Sequence, residues 1–270
     1  MKHFNKVSQF LITAFTGVVM MFVLSVAHAT ESGKEKILLV AANQLVPERL
    51  GWPVGFWAAE LTHPYDEFVH AGYEVVIASP QGGKIYADAY SDPRHESGYS
   101  AHDIMSFGFL TSPVTAPLLN DTLALNQVDP KDFAAIVVLG GQSPMFTFRE
   151  NTELKQLIKT FYESGRPTAA LCHGVSALVD VKLSSGKYLV KGKKLTGFSL
   201  AEDQYVDEIL GQQLFEWYVE PALKARGAKY RQNGMWADYA LADGNLITGQ
   251  QQNSGRSVAR LVLKQLAKNK

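Results

Sequence analysis

The chain has 270 residues, 46% of them hydrophobic and 19% charged, which suits a protein with a sizeable core and excludes a disordered polypeptide. Lys plus Arg equals Asp plus Glu at 26 each, so no global field draws it to a charged polymer, and nucleic acid is not expected as a partner. The single cysteine, Cys172, excludes an intrachain disulfide.

The N-terminal segment reads as targeting rather than fold. MKHFNK supplies a basic start, FLITAFTGVVMMFVLSV an apolar run, and Ala27-His28-Ala29 the small-x-small pattern of a signal peptidase site. A signal peptide over 1–29 is expected, with cleavage after Ala29 and export, in a bacterium to the periplasm. Left uncleaved, the same run would be a membrane anchor.

From there a single α/β domain is expected over 30–270. KILLVAA (36–42) predicts a buried strand. WAAELTHPYDEFVHAG (57–72) carries Trp57, Leu61, Tyr65 and Phe68 on one helical face and ends at Gly72, with Pro64 near a start or kink. YEVVIAS (73–79) is the next strand. Residues 81–130 are rich in turn formers and read as an irregular insertion covering one end of the sheet. AAIVVLGG (134–141) is a third strand, residues 150–165 a helix with Leu154, Leu157, Ile158 and Phe161 on one face, and TAALC (168–172) a fourth strand that GVSALVDV continues as a helix. Further helices are expected over 212–228 and 254–268, flanking a hairpin at 237–250 with Asp243-Gly244 in its turn. Strands alternating with long helices predict a mainly parallel sheet covered on both faces.

In such sheets reactive groups gather where strands end and helices begin. Cys172 falls at that position, flanked by the small residues Ala169, Ala170, Gly174 and Ser176. N–H groups at a helix start lower a thiol's pKa and can hold an oxyanion, so a working nucleophile is one reading of Cys172. A buried space-filling cysteine is the other.

ALCHG after a strand, LGG at the preceding strand end, AAELTHPYDEFVHAGYEVVIASPQGG early in the chain and DGNLITGQ late in it occur in an order that resembles the PfpI-like superfamily. The branch it most resembles holds the heat-shock-chaperone-like, glutathione-independent glyoxalases (glyoxalase III). The resemblance implies a flavodoxin-like three-layer sandwich with Cys172 as nucleophile on a strained elbow, His173 as second member and Glu60 as the acid on the thiol. The acid orienting the histidine falls at Asp203, or at Glu202 one position earlier. Gly140, Gly141 and Gly174 would form the oxyanion and substrate pocket. No cofactor or metal is implied. The partners would be a small aldehyde or a glycated protein, and a homodimer is common in the family.

The chain departs from the family at Gln142-Ser143, where His-Gly is usual, and at Val175, where proline is. The implied chemistry is conversion of 2-oxoaldehydes such as methylglyoxal to 2-hydroxy acids, or removal of early glycation adducts. A holdase chaperone, a thiol redox-stress protein and a cysteine peptidase are the alternatives. A glutamine amidotransferase is disfavoured, because no histidine follows His173 in the chain. His63, His70, His95 and His102 have acidic neighbours but match no metal-ligand spacing.

Overall fold

The structure, a computed structural model, describes residues 33–268. The expected signal segment over 1–29 lies outside the described residues.

Short apolar runs rich in Val, Ile and Leu form the centre of the molecule. β1 (Lys36–Val40), β2 (Glu74–Ser79), β4 (Phe133–Val138) and β5 (Thr168–Leu171) lie side by side and parallel. β3 (Leu123–Ala124), β8 (Ala240–Asp243) and β9 (Leu246–Gly249) complete a seven-stranded sheet in the order β3-β2-β1-β4-β5-β9-β8. Every pairing is parallel except β8 with β9, the expected hairpin, whose Gly244 takes a positive φ of 68° in the turn.

Strand side chains alternate between two apolar layers, as the pleat requires. Leu38, Val40, Ile136, Val138 and Ala170 pack with Leu154, Leu157, Ile158 and Phe161 of α4 (Thr152–Glu163). Ile37, Leu39, Ala135, Val137, Ala169 and Leu171 face the other way, onto Leu61 and Phe68 of α1 (Ala58–His70) and Val258, Val262 and Leu266 of α7 (Gly255–Lys268). A mainly parallel sheet between helical layers is the architecture read from the sequence.

Several elements differ from expectation, each for a local reason. Pro64 lies inside α1, buried beside the start of α7, and lacks the N–H that would bond the Glu60 carbonyl one turn earlier. The insertion contributes α2 (Ile104–Thr111), and its β3 extends the sheet edge as well as covering one end. Cys172–Leu178 winds as a tight 3₁₀ helix rather than an α-helix. The helix expected over 212–228 shrinks to α6 (Val219–Ala225), because Leu214 and Phe215 turn into the core and the Leu214 N–H is held by Asp207 Oδ1 at 2.9 Å. Before it lies a helix the apolar periodicity did not mark, α5 (Leu200–Leu210); its start is a Ser199/Glu202 capping box. The short α3 (Pro144–Thr147) follows the glycine turn, and β6 (Lys194–Leu195) pairs with β7 (Lys229–Tyr230) apart from the main sheet.

Candidate active site

β5 ends at Leu171, and the chain reverses sharply through Cys172, whose φ is +55°. Left-handed backbone costs an L-residue about 1–3 kcal/mol and persists only where the surroundings enforce it. Here the enforcement is close packing against the end of β4. A Cβ on Gly174 would lie 2.6 Å from the Leu139 oxygen, and one on Gly140 would lie 2.7 Å from the Cys172 Cβ. Only glycines admit the elbow at that distance. Cys172 is 3% exposed and packs in the core layer on the α4 side of the sheet.

Glu60 reaches this elbow from the first turn of α1. Its carboxyl is fully buried, and Oε2 accepts the Gly140 N–H at 2.8 Å. Burial raises its pKa to about 8, against the opposing effects of hydrogen bonds from the Cys172 thiol and the Gly140 amide. Oε1, buried as well, has no hydrogen-bond partner. The thiol is pushed well above its ordinary pKa, first by burial and then by the Glu60 charge; the N–H groups of His173 and Gly141 on the sulfur pull the other way and lose. The expectation of a thiol acidified by the turn after it is therefore overturned in sign. Desolvation beside a carboxylate outweighs two amide donors.

His173 points one ring nitrogen, Nδ1, at the sulfur from 3.9 Å and the other, Nε2, at Asp203 Oδ1 from 2.9 Å. Phe198, with ring centroid 4.3 Å away, and Phe215, 5.0 Å away, hold the imidazole in place. Asp203 lies in the first turn of α5, and burial raises its pKa against the lowering effect of His173. Glu202 turns the other way. Its Oε2 accepts from the Ser199 N–H and hydroxyl, and its Oε1 from the Trp236 N–H and Gln250 Nε2. Of the two acids the sequence left open, Asp203 is the one against the histidine.

The three pocket glycines divide in use. Gly140 has its N–H committed to Glu60, and Gly174 lets the elbow close against the end of β4. The N–H groups that favour a thiolate at Cys172 are those of Gly141, at φ +110°, and His173. Ser143, in the first departure from the family pattern, donates its hydroxyl to the Asn43 carbonyl at 2.7 Å, and the buried Gln142 Oε1 has no partner.

Sequence reasoning missed Asp88, in the insertion. It is 2% exposed, and it accepts the Gly55 N–H on Oδ1 and the Gln142 N–H on Oδ2, each at 2.7 Å. Burial lifts its pKa to about 7. No periodicity or spacing marks this residue within a turn-rich stretch. Among the described residues, no three His, Cys, Asp or Glu side chains form a metal-type cluster. His63 instead pairs with Asp103, clipping α1 to the N-cap of α2 at 3.0 Å.

A strand-end thiol between a buried acid and a histidine–aspartate pair invites comparison with known proteins. The DJ-1/PfpI family pattern matches residues 53–265. The probable glutathione-independent glyoxalase HSP32 of Saccharomyces cerevisiae is 30% identical over 213 residues, spanning 77% of this chain and 87% of that one. The solved Rapid Encystment Protein 24 kDa of Francisella tularensis superposes with a TM-score of 0.78 at 28% identity, covering 86% of this chain and 99% of its own. Glyoxalase III of Candida albicans shares the flavodoxin-like α/β fold with a TM-score of 0.72 at 23% identity, covering 86% and 97% of the two chains. The match runs from the loop before α1 almost to the end of α7, and on that ground the chain belongs to the DJ-1/PfpI family.

Proposed function

We propose that the protein is an enzyme that converts a small 2-oxoaldehyde to the corresponding 2-hydroxy acid without glutathione, with Cys172 as nucleophile. The observation that carries this is the placement of Cys172 and Glu60 about Gly140, where a Cβ would lie 2.7 Å from the Cys172 Cβ and 2.8 Å from Glu60 Oε2. The thiol and carboxyl are both buried and both raised in pKa, so that one can hand the other a proton near neutral pH. Relatives named glyoxalase support the same reading.

In this reading Glu60 takes the thiol proton as Sγ forms a bond to the aldehyde carbon, and the carbonyl pair moves onto its oxygen. The Gly141 and His173 N–H groups are placed to hold that oxygen. Glu60 passes the thiol proton to that oxygen, completing the hemithioacetal. The proton on the hemithioacetal carbon then leaves for Glu60 or His173, and the adjacent ketone carbon receives one. A hydroxyl proton passes from the first oxygen to the second, giving a thioester of the 2-hydroxy acid. Water releases the acid and restores the thiol. One carbon is oxidised, its neighbour is reduced, and no external oxidant enters. Asp203 stabilises His173 when the imidazole carries the proton.

A thiol only 3% exposed favours a small free aldehyde over a carbonyl adduct carried on a protein. The test is methylglyoxal consumption by the mature protein beside its Cys172→Ala variant, with lactate as the product. Equal rates for the two would end the proposal, and suppression of aggregation by both variants alike would favour a holdase instead.

Export belongs to the same proposal, supported by the N-terminal run and its Ala27-His28-Ala29 site. Cell fractionation with N-terminal sequencing of the mature chain tests it. The homodimer implied by the family resemblance is tested by sedimentation of that mature protein.

A further inference from the structure

Three links hold the loop before α1 onto the glycine turn after β4. The Trp57 N–H donates to the Gly140 carbonyl at 3.1 Å, and the Ser143 N–H donates to the Gly55 carbonyl at 3.1 Å. The third is the carboxylate of Asp88, which bridges the Gly55 and Gln142 amides. Asp88 is itself fixed: its N–H donates to the Phe56 carbonyl at 2.7 Å, and its carbonyl accepts the Ser91 hydroxyl, whose oxygen in turn accepts the Ala58 N–H. Both carboxylate oxygens are used and both partners are donors. The ionised form serves both donors best, because a proton on either oxygen weakens it as an acceptor and leaves a buried O–H that needs an acceptor of its own.

The peptide that Asp88 grips at Gln142 is the one directly after Gly141, whose N–H favours the thiolate of Cys172 and whose preceding residue, Gly140, packs so closely on Cys172 that a Cβ there would lie 2.7 Å from the Cys172 Cβ. With φ at +110° and a Cβ barred by contacts of 2.6 Å to Gly55 O and Trp57 N, Gly141 is a pliant joint between two held peptides, the one before it by Trp57 at the Gly140 carbonyl and the one after it by Asp88. The neighbours that touch the Asp88 carboxylate, Gly55 and Gln142, are uncharged; the charged group coupled to it is Glu60 of α1.

We propose that Asp88 is a positioning residue that sets the Gly141 amide on the Cys172 sulfur, so that the site is assembled only while Asp88 is ionised. This deepens the glyoxalase reading and rests on it for the turnover measurements, whereas reactivity of the thiol tests it without any substrate. The buried carboxyl, with its pKa lifted to about 7, places the change within the working range.

The experiment uses iodoacetamide on the mature protein, where Cys172 is the sole thiol, between pH 5.5 and 8.5, beside methylglyoxal turnover. For the wild type, the alkylation rate should fall about tenfold per pH unit from pH 8 to pH 7, where Glu60 is protonated and thiolate formation releases one proton. Below pH 7 it should fall more steeply, toward a hundredfold per unit, as Asp88 also protonates. Asp88→Asn presents an amide N–H₂ to one of its two donors. It should lower kcat about tenfold or more with KM within about threefold, and its alkylation profile should keep the tenfold slope throughout. Asp92→Asn, at a neighbouring acid paired with Arg94, should behave as wild type.

A folded Asp88→Asn protein with wild-type kcat and a wild-type alkylation profile overturns the proposal. So does a wild-type profile that keeps the tenfold slope down to pH 5.5, a result that needs no variant to fold. If the wild type alkylates as described but consumes no methylglyoxal, the enzymatic reading fails and the role of Asp88 on the thiol stands.

Discussion

Glu60 and Asp203 are two carboxyls almost equally withdrawn from water, at 0% and 2% exposure, one beside the thiol and the other behind the histidine that faces it. Each has one oxygen in a short hydrogen bond and the other without a geometrically formed partner. Their neighbours separate them. Glu60 faces a thiol, an amide and, further off, the like charge of Asp88, and burial carries it to about 8. Asp203 faces an imidazole that can become a cation, which opposes the burial. Equal desolvation thus makes one acid a carrier of protons and the other a holder of charge, and the partner decides which.

The sharpest way to break this comparison is Glu60→Gln. It keeps an oxygen for the Gly140 N–H and removes the proton acceptor, so turnover of methylglyoxal should fall by about a thousandfold, within the range of lost acid–base groups. The wild-type profile of kcat/KM should rise with pH toward about 8, since Glu60 must be ionised to accept, and in the variant only the lower limb near 7 set by Asp88 should remain. A Glu60→Gln enzyme with a wild-type limb would show that another group carries the proton.

Asp203→Asn should do less and do it differently. The amide oxygen still accepts from His173 Nε2, so the ring stays oriented, but the imidazolium loses its counter-charge. A fall of about ten- to a hundredfold in kcat is expected, with the acid limb still near 8 because Glu60 is untouched. A shift of that limb in Asp203→Asn would mean that the two acids titrate as one system, and pH–rate profiles of both variants decide it.

The legible part of this molecule is the part governed by apolar periodicity and by the family's motifs. β1, β4 and β5 announce themselves as runs such as KILLVA and AAIVV, because a strand buried on both faces cannot alternate. Cys172 followed from its place at the end of such a run, while Glu60 and the Glu202/Asp203 pair followed from the resemblance. What decides between Glu202 and Asp203 is a rotation about α5, fixed by the Ser199 capping box and the Trp236 loop, and a local reading carries no such angle. Asp88 was illegible for a different reason. Its partners, Gly55 and Gln142, lie 33 and 54 positions away, and it meets them through backbone amides that leave no mark in the residue types. The sign of the thiol's shift was missed because the amide donors near Cys172 could be inferred from the turn, whereas its depth of burial could not.

Stability offers a subtler test. The folded pKa of Glu60 is raised from 4.5 to about 8, so the folded state holds a proton that the unfolded chain releases. The contribution is fully present below about pH 4.5 and is lost as pH rises through 8, a change on the order of 3–5 kcal/mol if the carboxyl alone accounts for it. Asp88, raised from 3.8 to about 7, adds a loss of the same sign over a lower window. Wild-type protein should therefore unfold in urea at a lower midpoint at pH 9 than at pH 5. Glu60→Gln should flatten much of that slope and gain on the wild type at pH 9, and an unchanged slope would mean that the carboxyl is ionised at no cost.

The smallest expected effect on activity comes from the acid next door. Glu202 accepts from four donors, the Ser199 N–H and hydroxyl, the Trp236 N–H and Gln250 Nε2. Through them it holds Trp236 at φ +64°, which with Cys172 is one of two positive-φ positions outside glycine among the described residues. Glu202→Gln turns an N–H₂ toward some of these donors, and an unmet buried donor costs about 1–3 kcal/mol. Thermal unfolding should shift down by several degrees. Because Glu202 does not touch His173, kcat and its acid limb should stay within about threefold of wild type. If Glu202→Gln instead reproduced the kinetic loss of Asp203→Asn, the division of these adjacent acids into one that anchors the Trp236 loop and one that serves the histidine would not survive.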